Sequence, residues 1–499
     1  MRLMQLLSLY PQFRLGQEPQ REIKGVTNDS RQVDTGMVYV AIRGNQFDGH
    51  QFLPQVCHQG VAAVVVEDDQ LVPSDFSGAV VVVPSTRVAL DELAARYYGQ
   101  PADHLFCVGV TGTNGKTSIT YMVEEILSRY GWKTGVMGTI NHHLKSHVWE
   151  AQLTTPDPLV LQKRLSEFRA LGAEAVVFEV SSHALDQRRV DHLPFDVAVF
   201  TNLTRDHLDY HLTMEKYFAA KERLFHELLA GSSKQRTWAV VNSDDPWGVK
   251  LKVSDKAHRW TYGQKSADFQ FTVLQQDFAG SDFKLTTPRG EERIHLPLTG
   301  LHNVYNATAA IAVGLAAGAS LETCRLAMAE FTGVPGRLER VPDVGGLHIF
   351  IDYAHTDDAL KVVLRALNEV RVQAGLKNRI LTVFGCGGDR DKGKRPLMAQ
   401  AAVQGSDLVW MTSDNPRTED PESIIRDCAA GIDPQLLNKQ VFTEVDRQTA
   451  IDRALQSAQS GDVILIAGKG HENYQIIGTE KRPFSDREVV GQWLKKNRS

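Results

Sequence analysis

Apolar residues in this chain follow two alternating patterns. Short continuous runs, many of them β-branched, alternate with longer stretches in which apolar positions recur every three or four residues. The first pattern predicts buried strands and the second predicts helices with one buried face. Runs at residues 105–110, 175–180, 197–202 and 238–242 read as strands. The intervening stretches 116–130, 159–171, 214–229 and 303–317 read as helices. Strands that alternate with helices predict a mostly parallel sheet covered on both faces.

Two further blocks flank this one. Up to about residue 98, β-branched runs at 36–42, 61–67 and 79–83 are separated by turn-rich pieces, and a helix at 87–98 leads into the linker Gly99-Gln100-Pro101. From about residue 335 the alternation resumes. Strands are expected at 348–352, 380–384, 408–412 and 462–467, with helices at 357–374, 421–430 and 447–458. The expected fold class is therefore α/β with three domains: an N-terminal α/β domain at 1–98, a central parallel-sheet domain at 99–334, and a smaller doubly wound α/β domain at 335–499.

Composition narrows the class. The 499 residues exceed what one core organises, and 42% hydrophobic with 23% charged residues suits a water-soluble globular protein. Net charge is −5 without a Lys/Arg-rich run, so nucleic acid is not an expected partner. Five cysteines, never spaced CxxC, argue for reduced thiols and against both a disulfide framework and a thiolate zinc site. The apolar N-terminal stretch is short and interrupted, and reads as a first helix. No run approaches the roughly 20 residues of a membrane span. A cytoplasmic monomer is the expectation.

The strand at 105–110 ends in Thr111-Gly112-Thr113-Asn114-Gly115-Lys116-Thr117, which opens the next helix. Such a turn is an anion site. The helix N-terminus offers unpaired N–H groups, glycines allow backbone to approach phosphate, and lysine adds a point charge. The Thr117 hydroxyl is placed to hold Mg²⁺. The common pattern would place glycine at position 110, where this chain has valine, so its form is the compact GTNGKT.

Two residues at neighbouring strand ends extend this picture: Glu179, in Glu179-Val180-Ser181-Ser182-His183, and His207, in Arg205-Asp206-His207. Either alone reads as a capping glutamate or a loop histidine. Together, at the sheet edge that carries the phosphate loop, they read as ligands for the Mg²⁺ that triphosphate chemistry needs. Lys221, on the expected helix 214–229, reads from spacing alone as a solvated charge.

The runs GTNGKT, EVSSH, NLTRDHLDYH, AAKERLF, LTGLHNVYNATAA, PGRLE, DYAH and AGKGHE, in this order, resemble the Mur ligases, which add amino acids to UDP-N-acetylmuramoyl peptides. The likeness spans essentially the whole chain. It implies that the three domains bind UDP-precursor, ATP and amino acid in turn. It also implies that Lys221 carries a CO₂-derived carbamate and helps to bind a second Mg²⁺. By the same likeness Asn303 and Arg337 contact nucleotide, and Asp352 lies at its ribose or adenine end. Asn28, Ser30, Asn45 and Gln46 match the uridine-binding segment, and Thr154, Thr155, Ser181, Gln187 and Arg189 match positions that hold the muramoyl-dipeptide. Where relatives carry proline in the segment after DYAH, this chain has Thr356-Asp357-Asp358.

Asp414-Asn415-Pro416-Arg417 resembles the motif of family members that add meso-diaminopimelate; those that add L-Lys lack the arginine. A guanidinium pairs bidentately with the extra carboxylate of meso-diaminopimelate. Arg390 is then expected on the other carboxylate, with Gly468 and Glu472 at the ammonium end. The implied reaction joins meso-diaminopimelate to the D-Glu side-chain carboxylate of UDP-MurNAc-L-Ala-D-Glu, with ATP as co-substrate and an acyl phosphate as intermediate, in peptidoglycan precursor synthesis. An L-Lys-adding sibling, folylpolyglutamate synthase, and a binding module switched by slow ATP hydrolysis are the alternatives.

Overall fold

The continuous apolar runs become fully buried strands because both faces of their sheets are covered. Val108, Val110, Val177, Val199 and Val240 are all solvent-inaccessible. The computed structural model describes all residues except 11–12, 15, 19, 45–46, 345 and 497–499, so the expected uridine contacts Asn45 and Gln46 lie outside the described residues. The chain forms two compact units: Met1–Gln270 with Thr308–Cys324, and Phe271–Ala307 with Arg325–Ser499.

The first unit contains two sheets. The N-terminal one pairs Val26–Thr27, Val38–Val40, Ala63–Val66 and Ala79–Val82 in sequence order, all parallel. The second has a parallel core in the spatial order Ala257–Gly263, Thr237–Asn242, Val197–Phe200, Phe106–Thr111, Ala175–Glu179 and Thr134–Met137. Its register places Thr111 opposite Phe200 and Val110 opposite Glu179, so three strand C-termini meet at one edge. Beneath that edge Phe178, Phe195, Phe200 and Phe225 fill the core, each contributing roughly 2–3 kcal/mol of apolar burial.

The second unit has a six-stranded sheet in the order Glu339–Val344, Leu347–Asp352, Val463–Ala467, Ile380–Cys386, Leu408–Ser413 and Val441–Thr443. Only its first pair is antiparallel. This is the expected smaller doubly wound arrangement.

Several elements go beyond the sequence reading. Asn141–Leu144 and His147–Glu150 extend the second sheet with antiparallel pairs. Ser281–Thr287 and Gly290–Leu296 form a hairpin, and Lys394–Gly405 and Asp486–Lys496 are helices. The expected single helix 214–229 is corrected. An α-helix spans Met214–Arg223, a π-helical turn follows at Leu224–Leu228, and α geometry returns at Leu229–Gly231. The wider turn keeps Leu224, Phe225 and Leu228 all buried, one turn beyond Lys221. The helix Asp357–Gln373 starts without the family's proline because the Thr356 hydroxyl accepts from the Ala359 amide at 3.2 Å.

Candidate active site

The phosphate loop forms where Phe106–Thr111 ends and Lys116–Tyr130 begins. Its geometry depends on glycine at 112. There φ is +145°, and a Cβ would fall 1.8 Å from the Thr201 hydroxyl oxygen. The neighbouring strand end grips the loop: Asn202 Oδ1 accepts from the Asn114 amide at 3.0 Å, and the Thr201 hydroxyl donates to the Asn114 carbonyl at 2.6 Å. Thr113 Oγ1 accepts from the Thr204 amide at 3.0 Å and lies 3.2 Å from the Tyr217 hydroxyl. Lys116 Nζ folds over the loop and donates to the carbonyls of Gly112 and Thr113 at 3.0 and 2.8 Å. Thr117 is buried at the helix start.

Glu179 closes its strand 1% exposed. Its Oε1 accepts from the Thr139 amide at 2.8 Å and its Oε2 from the Thr139 hydroxyl at 3.1 Å. His207 sits at φ +53° with its side chain 45% exposed. Its ring is part of an aromatic group: His183 lies 4.9 Å away and Tyr217 6.0 Å. Burial holds the imidazoles of His183, His207 and His211 below the usual histidine range, which favours the neutral, metal-ligating form. Among the described residues no three His, Cys, Asp or Glu side chains gather into a protein-only metal site.

Lys221 is not a solvated charge; it is 1% exposed. Its Nζ donates to the Gly112 carbonyl at 2.9 Å and lies 4.7 Å from the centroid of the Tyr217 ring. Burial, reinforced by the Lys116 charge, pushes the amine well below the ordinary lysine range.

The positions matched to the muramoyl-dipeptide also come together. The Thr155 hydroxyl donates to the Glu179 carbonyl at 2.7 Å and accepts from the Ser181 amide at 2.9 Å. Thr154 Oγ1 lies 3.2 Å from Thr139 Oγ1. Arg189 donates to Gln187 Oε1 and to the Thr155 carbonyl, at 3.0 and 3.1 Å. In the N-terminal sheet's block, Asn28 precedes a short 3₁₀ turn that starts at Ser30 and is capped by Asp29.

In the second unit Asp352 is buried and raised by that burial, although the Leu338 and Ala354 amides donate to it at 2.6 and 2.8 Å. The Arg337 guanidinium lies 5.3 Å from the Tyr353 ring centroid, and Asn303 donates to the Thr299 carbonyl at 2.8 Å. Arg417 has φ +52° and donates to the Gly388 carbonyl at 2.7 Å, which sets it beside the loop that bears Arg390. Asp414, Asn415 and Glu472 surround a residue the sequence reading did not single out, Lys469. Fully buried, it reaches Glu472 at 3.1 Å, Asn415 at 3.3 Å and Asp414 at 3.4 Å. Its place between Gly468, at φ +113°, and Gly470, at φ +53°, is the local signal for it. Thr139, Thr201, Asn202 and Tyr217 were also missed; they are ordinary polar residues until the strands pair.

The arrangement can cradle a polyphosphate, neutralise its charge and hold a carboxylate beside it. Comparison with known proteins points the same way. Residues 22–98 match the Mur ligase family, catalytic domain; 110–314 match the Mur ligase middle domain; and 336–470 match the Mur ligase, glutamate ligase domain. A Geobacter sulfurreducens protein named UDP-N-acetylmuramoyl-L-alanyl-D-glutamate--2,6-diaminopimelate ligase is 46% identical over 94% of both chains. The Geobacillus thermodenitrificans protein of that name is 44% identical over the full length of both. A solved structure of a ligase with the same name covers 100% of both chains at 35% identity and a TM-score of 0.74. Mycobacterium tuberculosis folylpolyglutamate synthase, at 20% identity, a TM-score of 0.58 and 77% coverage of this chain, shares the fold alone.

Proposed function

The chain belongs to the Mur ligase family, with its three-domain α/β fold, and from that premise we propose that it joins meso-diaminopimelate to the D-Glu side-chain carboxylate of UDP-MurNAc-L-Ala-D-Glu at the expense of ATP. The observation that carries the choice of amine is Arg417, set by its left-handed backbone and its bond to Gly388 beside Arg390. Two guanidinium groups suit an amino acid with two carboxylates.

Residues 1–98 take the UDP-precursor, 99–334 take ATP and 335–499 take the amine donor; the three family matches fall within these bounds. Loop amides at 112–117 and Lys116 bind and orient the triphosphate. Arg189, with Gln187, Thr154, Thr155 and Ser181, presents the dipeptide carboxylate. That carboxylate attacks the γ-phosphorus in line, and ADP leaves. The amine of meso-diaminopimelate then attacks the acyl phosphate carbon, the C–O bond to phosphate breaks, the nitrogen gives up a proton that the departing phosphate takes, and amide and hydrogen phosphate are released. Asn303, Arg337 and Asp352 serve the nucleoside end. Arg417 pairs with the carboxylate at the far end of the donor and Arg390 with its other carboxylate, while Asp414, Asn415, Gly468 and Glu472 line its ammonium end.

Thr117, Glu179 and His207 would hold Mg²⁺. A hydroxyl, a carboxylate and a neutral imidazole fit an ion that completes its shell with phosphate and water oxygens, and when bound it supplies charge neutralisation. Lys221 suits carbamylation because burial favours its neutral amine, which can bond to CO₂ and release a proton, giving an anion for a second Mg²⁺.

The test offers meso-diaminopimelate, L-Lys and L-Glu separately with the UDP-dipeptide and ATP and follows phosphate. Release that requires meso-diaminopimelate and UDP-dipeptide together is expected. Equal or better release with L-Lys assigns the sibling activity, and release without any amine assigns a nucleotide-switched module.

A further inference from the structure

The loop that bears Arg390 and the loop that bears Arg417 are locked to each other by side chains that are not themselves expected to bind the amine donor. Arg395 opens the helix Lys394–Gly405, and its side chain is wholly buried. It donates to both carboxylate oxygens of Glu419, at 2.8 and 3.0 Å, to the Gly387 carbonyl at 3.2 Å and to Asp427 at 2.8 Å. Glu419 in turn accepts from the Asp389 amide at 2.6 Å, one residue before Arg390. Asp389 accepts from the Thr418 hydroxyl at 2.8 Å and the Thr418 amide at 3.1 Å, one residue after Arg417. The two backbones meet directly as well. The Gly388 amide donates to the Asn415 carbonyl at 2.9 Å, and a Cβ on Gly388 would fall 1.9 Å from the Pro416 carbonyl oxygen.

Arg390 and Arg417 therefore project from one cross-braced pair of loops whose spacing depends on an ion pair buried on its arginine side and partly exposed at Glu419. A guanidinium fork fixes a carboxylate in one plane and one direction, so a point charge such as lysine could not replace Arg395. Recognition that needs sub-ångström placement rests on groups behind the contacting side chains.

We infer that Arg395 and Glu419 are positioning residues that set the separation of Arg390 and Arg417 and so the selectivity for an amine donor with a second carboxylate. The inference rests on the proposed amine-donor site. Glu419→Gln and Thr418→Val, the latter at an exposed bond and safe for folding, are compared with Arg417→Ala. The readouts are KM for meso-diaminopimelate, KM for ATP, and the ratio of meso-diaminopimelate to L-Lys turnover. Glu419→Gln is expected to raise the meso-diaminopimelate KM by about ten-fold or more and to erode the ratio, with ATP KM within about two-fold; Thr418→Val should do the same more weakly. Glu419→Asp, which restores the charge, should recover part of the ratio. A lowered melting temperature with KM and ratio unchanged in both variants, while Arg417→Ala raises KM, overturns the positioning role alone. An unchanged KM in Arg417→Ala overturns the site reading and this inference with it.

Discussion

Lys221 Nζ donates to the Gly112 carbonyl oxygen at 2.9 Å, so the helix that follows the third strand end of the site is tied to the first turn of the phosphate loop. The bond crosses 109 positions of sequence and is completely buried. It puts a buried amine, which no carboxylate reaches among the described residues, beside the loop proposed to bind polyphosphate. Lys221→Met is expected to lower turnover at least about 10³-fold while leaving the fold as stable or more stable by about 1 kcal/mol, because a buried amine is costly. Denaturant melts beside phosphate-release assays check this; a strongly destabilised protein contradicts it.

Lys116 Nζ donates to the same carbonyl at 3.0 Å. Lys116→Ala removes the point charge over the phosphates and should lower kcat by about 10³-fold or more, with melting close to wild type. Near-normal turnover would falsify the assignment of the loop.

Gly112→Ala asks for a side chain at φ +145° with its Cβ 1.8 Å from Thr201 Oγ1. The loop must shift, and equilibrium binding of ADP should weaken at least about ten-fold. Titration calorimetry reads this directly, and wild-type affinity would mean that the loop backbone does not cradle phosphate.

Removing the guanidinium in Arg417→Ala should raise KM for meso-diaminopimelate about 10- to 100-fold, the range of a lost charged hydrogen-bond pair of roughly 1.5–3 kcal/mol. ATP KM should stay put, and steady-state kinetics in both substrates separates the two effects.

Hydrogen bonds from Arg395, then from the Asp389 amide, hold the Glu419 carboxyl down at about 2. A depressed carboxylate contributes stability above its unfolded value near 4.5 and loses it as pH falls through the folded value. The stability gap between wild type and Glu419→Gln should therefore be level from pH 7 to about pH 5 and narrow below about pH 4.5. Urea midpoints across that range test it; a gap that persists unchanged to pH 3 contradicts the ion pair.

Much of this was legible in the sequence, for a physical reason. Strands such as Ala175–Glu179, buried on both faces, must be continuously apolar, and the loop helix begins at Lys116 as expected because Gly115 at positive φ marks its start. The strands Asn141–Leu144 and His147–Glu150 escaped because NHHL and HVWE carry polar side chains that pair locally, such as His143 with Glu124 at 2.9 Å. Lys221 shows the limit at the site. Its spacing matches a surface lysine, and only the pairing of strands distant in sequence reveals its burial. The Arg395–Glu419 brace was invisible for the same cause, since each residue alone is an ordinary charge beside a turn.

The parallel order of the central sheet also governs how the molecule comes into being. The Phe106–Thr111 strand finds partners at Ala175–Glu179 and Val197–Phe200, about 70 and 90 residues onward. No hairpin can nucleate those pairings, and each long loop must close before its contacts repay the cost, so folding of this sheet is intrinsically slow. A nascent chain on the ribosome thus carries the whole of loop 111–117 long before either partner strand emerges, and the sheet edge that bears the proposed site assembles only once the polypeptide has grown past Phe200.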